Sequence, residues 1–207
     1  MPDTAPSPTL ILGIGNVLWA DEGFGPRCLE ALAQAYAFPA GVRLLDGGTQ
    51  GLYLLPFLEE AAQLLIFDAV DYGLAPGTLK IVRDGDVPAF MGAKKMSLHQ
   101  TGFQDVLATA RFRDAVPARM TLIGCQPAEL DDYGGGLTAI AAAQIGPALD
   151  AGIAELARWG IRATPGRTET DDLPDPSIRR DAYESGRPAA EAACRKGDAR
   201  FLPGRAG

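Results

Sequence analysis

Four residues of this chain combine a reactive side chain with a place where α/β proteins build sites. Glu22 follows the first apolar run, in "ILGIGNVLWADEGFG". Asp46 ends the second, in "VRLLDGG", and Asp68 ends the third, in "LLIFDAV". His99, the chain's single histidine, stands in "SLHQTG". One imidazole and two carboxylates make a three-ligand set for a borderline metal such as zinc or nickel. Taken singly, each residue also has an ordinary structural reading. Acids in the first turn of a helix complement its macrodipole, and aspartate is a favoured N-cap. A lone histidine is more often a hydrogen-bonded residue than a ligand. Asp21 and Glu22 are adjacent, so on a helix they would point about 100° apart. The expected division is Asp21 as the cap and Glu22 as the free group. Asp68 is harder to account for, because an unpaired charge at the end of a strand apolar enough to be central is costly. Asp71, just beyond it, occupies a comparable position.

Other chemistries fit these residues less well. Gly13 and Gly15 after a strand-like run begin a dinucleotide fingerprint, but Leu18 stands where the third glycine belongs. The two acids that follow would repel a phosphate at the helix N-terminus. A Walker loop, a Gly-x-Ser-x-Gly elbow and an HExxH zinc motif are all absent from the sequence. Cys125, at the end of the last strand, could in principle pair with His99 but reads better as a small buried apolar residue. Cys28, Cys125 and Cys194 are odd in number and far apart, which supports neither a disulfide framework nor a Cys-x-x-Cys metal site.

The elements that must position these groups follow from hydrophobic periodicity. Apolar, β-branched runs alternate with segments of helical period, which predicts an α/β fold. "TLILGIG" is the first strand, and the helix "EGFGPRCLEALAQAYA" tolerates Pro26 in or near its first turn. "VRLLDGGT" is the second strand, followed by a short helix in "LYLLPFLEEA". "QLLIFDAV" is the third strand, a continuous apolar run of the kind buried on both faces. "PGTLKIVRDGD" comes too soon after it for a crossover of about a dozen residues, so this fourth strand should run antiparallel. "SLHQTGFQDVLATARF" is a helix with Ser97 as its expected cap, and "RMTLIGCQP" is the last strand. "LTAIAAAQIGPALDAGIAELARWG" reads as one long helix bent near Pro147. The prediction is a five-stranded mixed sheet with helices on both faces. Ligands of such sheets bind outside the carboxyl ends of the strands, where the connections diverge. If the first and third strands are neighbours, Glu22 and Asp68 meet there.

The 207 residues suit one domain, over 1–162, with a tail over 163–207. The tail is rich in Pro, Gly and charge of both signs, and a segment so poor in apolar residues should stay mostly disordered apart from a short helix in "RPAAEAACRK". A formal charge of -7 argues against nucleic-acid binding and favours a basic or cationic partner. No apolar run approaches the roughly 20 residues of a membrane span, and "MPDTAPSPTL" lacks the pattern of a signal peptide. The expectation is a cytosolic protein with reduced thiols and no membrane partner.

The segments "GIGNVLWADEGFG", "DGGTQG", "FDAV" and "SLHQTG", in this order and at these intervals, resemble the hydrogenase maturation endopeptidases over about residues 8 to 160. The resemblance implies a phosphorylase/hydrolase-like three-layer α/β/α sandwich on a five-stranded mixed sheet with one antiparallel strand. It implies an endopeptidase that removes the C-terminal extension of a nickel–iron hydrogenase large-subunit precursor after nickel insertion. It carries metal contact onto Glu22, Asp68 and His99 and gives Asp46 a part in the site. The metal implied is nickel brought by the precursor, rather than a resident catalytic ion. A large protein substrate at an accessible site favours a monomer. Two alternatives share this fold: a metal-sensing chaperone that docks the precursor without cutting it, and a peptidase acting on another precursor.

Overall fold

The computed structural model describes residues 8–91, 98–170, 172–173 and 175–186, with side chains throughout except at 89–91 and 98–101. Strand β1 (Thr9–Ile14) leads through a 3-10 turn at Ala20–Gly23 into helix α1 (Phe24–Ala35). A two-residue strand β2 (Tyr36–Ala37) precedes β3 (Val42–Gly48), α2 (Leu55–Glu60) and β4 (Gln63–Ala69). After β5 (Leu79–Arg83) come α3 (Asp86–Met91), α4 (Leu98–Phe112) and β6 (Arg119–Cys125). The chain continues through α5 (Ala139–Ala142), α6 (Ile145–Arg158), β7 (Thr164–Pro165) and α7 (Arg180–Ser185).

The main sheet has the order β3-β1-β4-β6-β5. Four strands are parallel and β5 runs antiparallel to β6, as the short connection after β4 requires. All seven residues of β4 are buried, consistent with a central strand covered on both faces. Strand alternation divides the core in two. Ile11, Leu44, Leu65, Phe67 and Ile123 pack with α1 and α6, while Leu10, Leu12, Leu45, Ile66 and Leu122 pack on the side of α2 and α4. Each fully buried side chain contributes roughly 1.5–3 kcal/mol relative to exposure. The result is a three-layer α/β/α sandwich, and among the described residues no helix is long and apolar enough to cross a membrane.

Two segments differ from the sequence expectation. The long helix expected before residue 160 is interrupted earlier than Pro147, between α5 and α6, and Pro147 falls in the first turn of α6. A proline there removes only an N–H that has no helical acceptor, so it starts the helix instead of bending it. The segment after residue 163 also lies against the domain as far as residue 186, with β7 paired antiparallel to β2. Its apolar content is as low as composition indicates, and hydrogen bonds to α1 and β3 hold it in place. The helix expected in 187–196, and the Ser97 cap, lie outside the described residues.

The connections from β1 and β4 diverge at their carboxyl ends, and three glycines decide how closely α1 approaches that point. A Cβ at Gly25 would be driven into the carbonyl oxygens of Ile14 and Phe67, the facing backbones of β1 and β4. A Cβ at Gly13 would lie 2.7 Å from the carbonyl oxygen of Gly25. Gly15 has φ +142°, and a Cβ on it would strike the carbonyl of Glu22. The turn carrying Glu22 is thereby folded back over the end of β1. Gly25→Ala should cost about 2–3 kcal/mol or more, since the obstructing atoms are backbone and cannot rotate away. Thermal unfolding should show a Tm lower by roughly 5–10 °C for a chain of this size. Gly146→Ala, where a Cβ meets open space, should leave Tm nearly unchanged.

Candidate active site

The 3-10 turn that carries Glu22 packs against β4, so Glu22 and the end of β4 lie together at the switch point. Asp68 is the penultimate residue of β4 and is fully buried, while Glu22 is half-buried. Asp68 leaves the strand on the α4 side, since it shares its face with Ile66. Helix α4 is brought to the same end by a close approach of two glycines. A Cβ at Gly102 would lie 3.4 Å from the Cα of Gly51. The glycines of "DGGTQG" and "SLHQTG" thus let the first turn of α4 rest on the loop after β3. His99 belongs to that turn, and its side chain lies outside the described residues. Among the described residues no three His, Cys, Asp or Glu side chains converge as a metal-binding group.

Asp46 stands two residues before the end of β3, on the opposite face. It sits level with Phe67 across Gly13 and shares the face of Leu44, so its carboxylate leaves toward α1. Its oxygen accepts the N–H of Gly48 at 2.9 Å. Burial raises the Asp46 carboxyl to about 6, with Glu30 adding to the rise while the Gly48 amide and Arg27 oppose it. The structure therefore places Glu22 and Asp68 at the same end of the sheet, with Asp46 at that end across the plane of the sheet.

Asp21 departs from its expected role. Neither the 3-10 turn nor α1 has a side-chain cap. The Asp21 carboxylate is fully buried and accepts the N–H groups of Ala128 (2.8 Å), Glu129 (3.1 Å) and Thr138 (2.7 Å), and the Thr138 hydroxyl at 3.0 Å. The same hydroxyl accepts the N–H of Ala141 and caps α5. The loop after β6 is thus sewn to the turn that carries Glu22. Gly134 N–H donates to the Leu18 carbonyl at 2.7 Å, Ala20 N–H to Gly135 at 3.1 Å, and the Trp19 and Tyr133 rings lie 5.1 Å apart. Ala20 takes φ +38°, a strained conformation for a residue with a Cβ that these contacts maintain.

Three further residues complete the surroundings. Tyr72 lies across Gly124, the residue paired in register with Asp68, and a Cβ on Gly124 would collide with the Tyr72 hydroxyl. Burial pushes the phenol up, with the Asp68 charge adding to the effect, so it remains a hydrogen-bond donor. Sequence reasoning passed over Tyr72, although it stands four residues after Asp68. Cys125 is buried, and its thiol is pushed up to about 12 by burial and by Asp21, the reverse of what a nucleophilic thiolate needs. Asp71 serves a turn, accepting the Gly73 N–H at 2.8 Å and the Gln126 side-chain amide at 3.0 Å.

Replacing the fully buried Asp21 carboxylate removes the acceptor for three part-buried N–H groups and a hydroxyl at once. Asp21→Ala should lower unfolding free energy by about 3–5 kcal/mol, measured by denaturant titration. Asp21→Asn should cost less but still more than 1 kcal/mol, because its amide turns donors toward donors. Asp46 gives a pH signature. A carboxyl whose folded pKa is raised binds its proton more tightly folded than unfolded, so its contribution is lost as pH rises toward about 6. Asp46→Asn should therefore gain stability relative to wild type between about pH 4 and about pH 6 and keep that gain above it. Unfolding midpoints at pH 4 and 7 measure this, and a difference that shrinks with rising pH would contradict the burial of Asp46.

Comparison with known proteins places this geometry in a family. The sequence model described as hydrogenase maturation protease (HycI) matches residues 26–155. The hydrogenase expression/formation protein HupD of Rhodobacter capsulatus is 65% identical over 203 residues, covering 98% of this chain and 97% of its own. The hydrogenase 2 maturation protease of Escherichia coli is 44% identical over 157 residues, which is 75% of this chain and 94% of its own. The solved structure of the hydrogenase maturating endopeptidase HybD from E. coli superimposes with TM-score 0.72 at 43% identity, over 76% of this chain and 96% of its own. The fold, the glycine-set switch point and these similarities agree: the chain belongs to the hydrogenase maturation protease family and is a peptidase.

Proposed function

We propose that this peptidase removes the C-terminal extension of a nickel–iron hydrogenase large-subunit precursor once nickel is in place, and that it reads the nickel through Glu22, Asp68 and His99. The observation that supports this reading most is the placement of Asp68. Its carboxylate is fully buried at the penultimate position of the central strand, at the end of the sheet where the Glu22 turn packs and where ligands of such folds bind. Two carboxylates and an imidazole match a borderline metal that keeps open positions for its own ligands. Nickel is here part of the substrate. Contact with it registers the precursor so that the scissile bond lies over the carboxyl end of the sheet. The metal can polarise the peptide carbonyl or lower the pKa of a bound water, and the protein's carboxylates fix its orientation. Asp46, with its carboxyl near 6, is tuned to take a proton close to neutrality and is the candidate general base. The site belongs to a protein acting in the cytoplasm as a monomer.

Purified protein mixed with nickel-loaded precursor should release a C-terminal peptide, seen as a mass loss. Precursor without nickel should remain intact. Asp68→Asn, Glu22→Gln and His99→Ala should each slow release by about 100-fold or more, the scale of removing one preorganised electrostatic contact from a reaction centre. A base role for Asp46 adds an acid limb near pH 6 that Asp46→Asn abolishes. Stable complex formation without any mass loss would instead favour a non-cleaving chaperone.

A further inference from the structure

Arg27 and Glu30 are buried on α1, at 4% and 6% exposure, on the side of the helix turned away from Phe24, Cys28 and Leu32. They pair with each other at 3.1 Å, but a buried ion pair is a poor source of stability by itself. Their remaining bonds all go to one segment. Arg27 Nη1 donates to the Ile178 carbonyl at 2.7 Å, and its guanidinium lies 5.7 Å from the centre of the Tyr183 ring. The Glu30 carboxylate accepts the Arg180 N–H at 3.1 Å. Upstream, Arg43 makes a bidentate pair with Asp172 at 2.9 and 3.3 Å. The carbonyl of Asp172 accepts the N–H of Asp46 at 2.8 Å, on the free edge of the sheet. Downstream, a Glu184 oxygen lies 3.1 Å from where a Gly136 Cβ would stand, in the loop that Asp21 holds. The segment therefore runs from the end of β3, past the first turns of α1, to the loop after β6. It walls the carboxyl end of the sheet on the α1 side.

This wall lies outside the part of the chain shared across the family. The family model ends at residue 155, and the E. coli hydrogenase 2 maturation protease matches over 94% of its own length while covering 75% of this chain. The R. capsulatus relative covers 98%. Peptide cleavage in the family therefore does not depend on the segment, yet here two buried charges fix its position beside the site. Asp181 and Ala182 of α7 face solvent. We propose that residues 172–186 form a specificity strap, whose outer face receives the folded body of the large-subunit precursor next to its scissile segment. This inference rests on the precursor-processing reading above. The strap selects which precursor docks and leaves the bond-breaking step to the shared site.

The test uses the full-length protein and the nickel-loaded precursor, with kcat and KM read from release of the C-terminal peptide. The double variant Asp181→Arg, Ala182→Arg places two long side chains on the outer face without touching Arg27, Glu30 or the catalytic candidates. It should raise KM about tenfold or more with kcat within about twofold of wild type, as loss of recognition in ground and transition states alike requires. Phe112→Ser, at an exposed position at the C-terminus of α4, should leave both constants unchanged. An unchanged KM in the double variant overturns the strap, and so does a fall in kcat at constant KM. If wild type releases no peptide, the precursor-processing reading fails first and the strap with it. Normal wild-type release with indifferent variants removes the strap alone.

Discussion

Gly25 lies between the carbonyl groups of Ile14 and Phe67, where a β-carbon would collide with the ends of two parallel strands. This contact sets how far α1 can descend onto the switch point, and with it the height of the turn that carries Glu22. Gly13 and Gly15 repeat the same requirement on the other side of the contact, against Gly25 and Glu22. Dinucleotide-binding folds use glycines in the same place to bring a helix N-terminus up to a pyrophosphate. Here the space is filled by protein backbone, and the turn presents a carboxylate. The same local geometry therefore presents groups of opposite charge, depending on what the loop carries.

Around this contact the protein buries several charges, and each has a different task. The carboxylate of Asp21 satisfies four donors and binds two loops that are more than a hundred residues apart, a distance seen directly in the separation of 117 from Asp21 to Thr138. Arg27 and Glu30 secure the segment after β7. Asp68 is held ready at the sheet end on the α4 side, with the Tyr72 phenol close by across Gly124. Burying charge costs free energy, which hydrogen bonds offset for Asp21, Arg27 and Glu30. In the proposed reaction the Asp68 carboxylate contacts the nickel of the precursor. The thiol of Cys125 is kept protonated by the same burial and by Asp21, so the end of β6 contributes packing and no nucleophile.

Most of the fold was legible in the sequence because it depends on local periodicity and connection length. The run "QLLIFDAV" announced a central strand, and the few residues before "PGTLKIVRDGD" forced β5 to run antiparallel. The glycine turns followed from the same reading, and β1 and β4 are the neighbours it required. What escaped depends on contacts distant in sequence. Nothing near Asp21 indicates that its acceptors serve residues 128–138, so capping was the natural expectation. The segment after residue 163 lacks the apolar content that marks a folded element, and its anchors are two charges on a helix far earlier in the chain, separated by 150 residues for Glu30 and Arg180 and by 151 for Arg27 and Ile178. The one available signal was Arg27 and Glu30 themselves, opposite charges spaced three apart on the side of α1 away from Phe24, Cys28 and Leu32. Strand alternation in "LLD" could also have placed Asp46 on the α1 side, away from Asp68.

The central claim is that the switch-point carboxylates and His99 contact nickel carried by the precursor. X-ray absorption at the nickel edge, recorded on nickel-loaded precursor alone and in complex with the peptidase before cleavage, tests it most directly. The account predicts that complex formation adds nitrogen or oxygen scatterers to the first shell of nickel, and that Asp68→Asn reduces this change without dissolving the complex. A nickel shell identical in the free and bound precursor would contradict it.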